Sequence, residues 1–224
     1  FICTPGNPSG TVIDEETLEY LINKANEFDF WLASDECYSE IYRNTPPPGL
    51  LEVCAQMGHR DYSQCLVFHS LSKRSNLPGL RSGFVAGDAS FIAPFLKYRT
   101  YHGCSMSMAV QKASELAWSD EDHVIVNRGL YAKKFQAAAD ILGEQLDSHD
   151  PGAGFYLWAK TPTGCDTFSR DLYAANGVTV LPGQFLGREV DGVNPGAGFV
   201  RMALVAEPDT CREALQRIQR FMTR

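Results

Sequence analysis

Lys73 stands in "HSLSKRSNLPGLRSGF" (His69–Phe84), straight after the apolar run Leu66-Val67-Phe68, and Arg81 follows eight residues on. A lysine just past a strand is ordinarily solvated, but Ser70 and Ser72 put hydroxyls and backbone N–H groups beside this one. With Arg81 they make a cradle for a phosphate next to an amine. An amine near a second cation loses proton affinity and attacks carbonyls more readily. Asp35 comes directly after "FWLAS". An acid there is costly to bury without a partner, so it is either a local cap or a carboxylate held against a protonated ring nitrogen. Tyr38 lies three residues on and can reach the same ligand with its hydroxyl. Asn7, in "GNPSG", either builds a turn or donates its amide to a ligand oxygen. In "FVRMALV", alternation puts Phe199, Arg201 and Ala203 on one face and Val200, Met202 and Leu204 on the other. Arg201 is then the partner of a buried acid or a bidentate fork for a carboxylate ligand.

The elements that must position these groups follow from periodicity. Phe1-Ile2-Cys3 reads as the end of a buried strand, and "TPGNPSG" is dense in turn formers. "DEETLEYLINKAN" is predicted as a helix: Asp14, Glu15 and Glu16 suit its N-terminus, and Leu18, Leu21, Ile22 and Ala25 share one face. "FWLASDECY", "CLVFHS" and "SGFVAG" are predicted strands, with a Pro-rich loop and a helix near Leu50–Met57 after the first of them. Strands alternating with helices mean an α/β layer with a largely parallel sheet. In such sheets ligands sit beyond the carboxyl ends of the strands, which selects Thr4–Gly10, Asp35–Tyr38 and Ser70–Lys73.

Beyond about Ser90 the helical patterns lengthen, over Phe91–Tyr101, Met106–Trp118 and about Glu121 to Leu146. "GFYLWAK" is a predicted strand, followed by a helix capped by Asp166 and ended by Gly177. "VTVLPG" and "FVRMALV" are further predicted strands, and "PDTCREALQRIQRFM" a closing helix. This order predicts a second, α+β domain joined through a long helix, with residues 1–118 in the first domain and 119–224 in the second.

The chain has 224 residues, enough for one large domain or two modest ones. A net charge of -7 argues against nucleic acid as a partner, since that needs a basic face. No apolar run approaches the roughly 20 residues of a membrane span, and nothing reads as a signal peptide. The seven cysteines show no CxxC pair and no metal-like Cys/His spacing, so buried thiols in a reducing, cytoplasmic setting are expected, without a metal. A start at Phe1 inside an apparent strand leads us to expect a piece of a longer protein.

A lysine, a carboxylate for a ring nitrogen, donors for a ring oxygen, a phosphate cradle and a carboxylate fork are together the inventory of a pyridoxal 5′-phosphate site. In motifs and in their order the chain resembles the fold-type I aminotransferases of class I/II. "NPSG" matches the NP-x-G of that family, "DECY" its D-x-x-Y and "SLSK" its S-x-S-K; the arginine eight residues past the lysine and the late strand arginine complete the set. The resemblance covers the whole chain. It implies that Phe1–Arg224 is the second half of a large domain, a mostly parallel sheet with helices on both faces, plus a smaller C-terminal α+β domain. It also implies roles. Lys73 bonds the cofactor aldehyde and shuttles a proton between Cα and C4′. Asp35 keeps the pyridine nitrogen protonated, Asn7 and Tyr38 bond the ring 3′-oxygen, and Ser70, Ser72 and Arg81 hold the phosphate. Arg201, with Asn7, receives the substrate α-carboxylate.

In that family a stretch of comparable size precedes the position of Phe1. It carries the first strands, a phosphate-binding turn and the aromatic that stacks on the ring, and a homodimer partner completes the phosphate site. This chain alone is therefore expected to be inactive. Its last third, "GAGFYLWAKTP", "VTVLPGQFLG" and "GVNPGAGFVRMALV", is similar to the succinyldiaminopimelate aminotransferases of lysine biosynthesis. They exchange an amino group between glutamate, which becomes 2-oxoglutarate, and N-succinyl-2-amino-6-oxopimelate. The alternatives are a general aspartate, alanine or aromatic aminotransferase, a C–S lyase on the same cofactor, and the aminotransferase-like effector domain of a transcriptional regulator.

Overall fold

The structure is a computed structural model, and it describes residues 1–103, 105–143 and 151–223. The chain divides into two compact units: Phe1–Gly6 with Thr11–Arg128, and Asn7–Gly10 with Gly129–Arg224. The division falls farther along the chain than the 118/119 boundary read from texture. It also assigns the tip of the "GNPSG" turn to the second unit.

In the first unit, helix α1 (Glu15–Phe28) begins as its sequence predicts. Asp14 is the N-cap and accepts the Thr17 N–H at 2.8 Å, and that hydrogen bond holds its carboxyl below the usual carboxylate range. Leu18, Ile22 and Ala25 bury against Leu50, Val53 and Cys54 of α2 (Leu50–Gln56) and against the sheet residues Leu32, Cys65 and Val67. The sheet runs β1 (Ile2–Cys3), β2 (Leu32–Asp35), β3 (Cys65–Ser70), β4 (Gly83–Gly87), in that spatial order. The first three strands are mutually parallel. β4 returns antiparallel, because only helix α3 (Leu71–Arg74) and a 3₁₀ turn at Pro78–Leu80 separate it from β3, too little chain for a parallel crossover. α4 (Ala89–Arg99), α5 (Met108–Ser119) and the start of α6 (Asp122–Leu142) complete the unit. The predicted continuation of α6 to Leu146 lies outside the described residues.

The second unit holds a three-stranded antiparallel sheet in the order β5 (Tyr156–Lys160), β7 (Phe199–Ala203), β6 (Leu181–Pro182). One face of β7 carries Val200, Met202 and, just past the strand, Leu204 into a core with Leu157, Phe168, Leu172, Leu215 and Ile218. α7 (Cys165–Asn176) and α8 (Pro208–Met222) supply the helical side of that core. Gly177 ends α7 in the left-handed region, its N–H donating to Tyr173 O at 2.9 Å. Asp166 is not the cap: Gly164 holds that position, and Asp166 sits in the first turn, where its charge still suits the helix dipole. Of "VTVLPG" only Leu181–Pro182 pairs into the sheet. Among the described residues, no helix is long and apolar enough to cross a membrane.

Candidate active site

Two neighbouring strand ends in the first unit carry the predicted groups. β2 and β3 pair in parallel with Asp35 opposite Phe68, so the "DECY" turn and the "SLSK" turn emerge side by side. Glu36 N–H continues the ladder to Phe68 O at 2.9 Å before the chain leaves the sheet. Ser70 then caps α3: its Oγ accepts the Ser72 N–H at 3.1 Å, and its hydroxyl donates to Ser72 Oγ at 2.8 Å and lies 3.2 Å from Ser82 O. Lys73 follows on α3, with its Nζ 5.8 Å from the centroid of the Tyr38 ring. Arg81 has a left-handed backbone (φ 53°) at the end of the 3₁₀ turn; its exposed guanidinium donates to Pro78 O at 2.9 Å.

Cys37, between Asp35 and Tyr38, reports the field at this edge. Its N–H donates to Asp35 Oδ1 at 3.1 Å. Burial first, and the Asp35 carboxylate second, push the Cys37 thiol up to about 12, while the Lys73 ammonium pulls the other way. Asp35, Cys37, Tyr38 and Lys73 therefore share one small region of the first unit. Asp35 itself is exposed, so its carboxylate meets no burial cost, and the bond from the Cys37 N–H makes it a local cap at the end of β2. The buried acid is the next residue. Glu36 is 4% exposed; its Oε1 accepts the Leu50 N–H at 2.9 Å and its Oε2 stands 3.3 Å from His69 Nε2. Glu36 thus ties the end of β2 to the start of α2 and to the end of β3.

Asn7 and Arg201 are 194 positions apart and come together in the second unit, where the Arg201 Nη1 donates to Asn7 Oδ1 at 2.8 Å. The Arg201 guanidinium lies 4.4 Å from the centroid of the Tyr156 ring, a cation–π contact on the half-buried face of β7. Trp158, opposite Arg201 in the register, stacks on Phe199 at 5.3 Å. The buried acid considered as a partner for Arg201 is thus replaced by an amide and an aromatic face. Gly10 explains why the turn ends in glycine. At φ +70° a Cβ there would meet Pro151 Cβ at 2.3 Å and Ala153 O at 2.5 Å.

No metal-binding group of three or more His, Cys, Asp or Glu occurs among the described residues. The donor set suits pyridoxal phosphate instead: an amine beside a phenol ring, paired serine hydroxyls at a strand end, an exposed arginine nearby in sequence and a carboxylate at the neighbouring strand end.

The comparisons agree with that chemistry. The family model for aminotransferase class I and II matches residues 1–218, and the chain belongs to this pyridoxal-phosphate-dependent family. A crystal structure of an aminotransferase from Neisseria meningitidis Z2491 is 50% identical over 99% of this chain and 56% of its own, with a TM-score of 0.92. The LL-diaminopimelate aminotransferase of Nitratidesulfovibrio vulgaris is 32% identical over 97% of this chain and 55% of its length. A probable N-succinyldiaminopimelate aminotransferase from Thermus thermophilus is 26% identical over 98% of this chain and 57% of its own, with a TM-score of 0.84. The chain thus spans little more than half the length of the relatives it matches.

Proposed function

We propose that this chain is the lysine-bearing part of an aminotransferase that moves an amino group between glutamate and N-succinyl-2-amino-6-oxopimelate, acting in the cytoplasm as a homodimer. The observation that carries the reading is the meeting of Lys73 with Tyr38 and Cys37 at the paired ends of β2 and β3, within the family to which the chain belongs. Lys73 would bond the cofactor and carry the proton; Ser70, Ser72 and Arg81 would hold its phosphate; Asp35 would face its ring nitrogen; Asn7 and Tyr38 would hold its ring oxygen. Bound pyridoxal phosphate supplies the electron sink for a carbanion at the substrate Cα. This chain's residues supply the rest. The Lys73 amine takes a proton from one carbon and returns it to another, a transfer that needs it fixed and close. Arg201, already oriented by Asn7 and Tyr156, offers its remaining donors to the α-carboxylate that both substrates share.

For the substrate, the name of the Thermus thermophilus neighbour supports the succinylated acceptor. A second reading, with unsuccinylated diaminopimelate, draws on the name of the Nitratidesulfovibrio vulgaris relative. Full-length protein assayed for 2-oxoglutarate-dependent turnover of N-succinyl-LL-diaminopimelate, LL-diaminopimelate and aspartate decides between them. The proposal expects kcat/KM to be highest for the succinylated compound; a higher value for LL-diaminopimelate or aspartate refutes it. Release of ammonia with keto acid, in place of amino exchange, would make the protein a lyase.

A further inference from the structure

The three residues that follow Lys73 each reach, by side chain, the corner between α5 and α6. Arg74 is buried; its Nη1 donates to Ala117 O at 2.7 Å, its Nη2 pairs with Glu121, and its guanidinium lies 5.2 Å from the Trp118 ring centroid. Ser75 Oγ is 2.8 Å from His123 Nε2, and His123 Nδ1 is 2.7 Å from Asp120 Oδ2. Asn76 Nδ2 donates to Asn127 Oδ1 at 2.9 Å, and Asn127 is itself buried. All of these residues belong to the first unit. Asp, His and Ser in that order also serve hydrolases. Here Ser75 is only 9% exposed and its hydroxyl sits 3.4 Å from Arg74 Nη1, so it works as a tie and not as a nucleophile.

α3 is only four residues long, and its last residues are Lys73 and Arg74. So short a helix makes one or two internal hydrogen bonds and does not hold its own position. We propose that Arg74, Ser75 and Asn76 form a clasp on the α5–α6 corner that fixes where Lys73 stands, with His123, held by Asp120, as its central latch. These are positioning residues: none touches the reacting atoms, and each acts through the backbone of α3. The proposal rests on the reading of Lys73 as the cofactor lysine. It adds that the placement of that amine depends on a corner of the fold well removed in sequence from the "DECY" and "NPSG" turns.

The test uses full-length protein carrying Ser75→Ala, His123→Ala or His123→Gln. Gln keeps an amide that reaches Ser75, whereas Ala keeps nothing. Removing one such partly buried hydrogen bond should make amide hydrogen exchange across Leu71–Leu77 about tenfold faster in the apoprotein and weaken pyridoxal phosphate loading, read by fluorescence titration, by a similar factor. Turnover should follow in kcat, with the KM for glutamate unchanged, because the carboxylate fork is on other strands. His123→Gln should recover most of each effect. Exchange, loading and kcat equal to wild type in both alanine variants would overturn the clasp. So would a lowered melting temperature with loading and kcat per folded site unchanged. If borohydride reduction of the loaded wild type marks a lysine other than Lys73, the functional reading fails, and the exchange result still decides whether the clasp exists.

Discussion

Replacing Arg201 by lysine keeps the positive charge and removes the planar fork. The structure sets the size of the effect. Arg201 donates to Asn7 Oδ1 at 2.8 Å and lies 4.4 Å from the Tyr156 ring centroid. Both contacts fix the guanidinium plane before any substrate arrives. Lysine has the reach for one carboxylate oxygen but cannot bridge two, and its compact ammonium cannot bond Asn7 and a substrate in the same fixed geometry. One charge-assisted hydrogen bond is lost, at about 1.5–3 kcal/mol, together with the cation–π orientation, at about 0.5–1 kcal/mol. The sum, about 2–4 kcal/mol, is about a 30- to 1,000-fold fall in kcat/KM. The assay is steady-state kinetics of the full-length Arg201→Lys protein, with glutamate and with the diaminopimelate substrate run separately. Because both substrates present the same α-carboxylate, both half-reactions should fall by factors that agree within a few-fold. A loss confined to one amino donor would mean that Arg201 reads a side chain, and the carboxylate assignment would be wrong.

Further outcomes follow from the same geometry. Gly10→Ala forces a Cβ to 2.3 Å from Pro151 Cβ at φ +70°, so the full-length protein should lose about 2–4 kcal/mol and melt about 2–5 °C lower; an unchanged melting curve would contradict the close approach. Asp88, the cap of α4, accepts the N–H of Ser90 at 2.7 Å and that of Gln64 at 2.8 Å, and these bonds hold its carboxyl below the usual range. Its folded value is depressed, so its contribution is fully present above the unfolded value of about 3.9 and is lost as pH falls through the folded value. Urea midpoints of wild type and Asp88→Asn should therefore differ at neutral pH and converge below about pH 4; a constant gap down to pH 3 would refute this. Asp35→Asn keeps the shape and removes the charge, and should lower kcat about 100- to 1,000-fold; near wild-type turnover would remove Asp35 from the ring nitrogen.

The sequence made some parts of this molecule plain and hid others for identifiable reasons. Arg201 was legible because β7 is buried on one side only, and two-residue alternation then separates Val200 and Met202 from Phe199 and Arg201. α1 was legible because its cap, its acidic first turn and its apolar face all agree. The buried acid at this strand end is not legible because β2 gives no alternation: Leu32, Ala33 and Ser34 are all buried, as in a strand covered on both faces, so the pattern cannot say whether Asp35 or Glu36 turns inward. Glu36 goes inward because the Leu50 N–H and His69 meet it there. α3 was missed because four residues are too few for a period; the Ser70 hydroxyl ahead of Ser72 was its one sequence signal. The Arg74, Ser75 and Asn76 contacts join positions more than forty residues apart, and no local pattern announces them. Asp166 misled because an acid suits the first turn of a helix as well as its cap.

The central claim is that Lys73 holds the cofactor. Full-length protein loaded with pyridoxal phosphate, reduced with borohydride, digested and mapped by mass spectrometry tests it most directly. The account predicts one pyridoxyl group per chain, on the peptide bearing Lys73, and no label in Lys73→Ala. A label on Lys97 or Lys112, or a pyridoxyl label that survives Lys73→Ala, would contradict it.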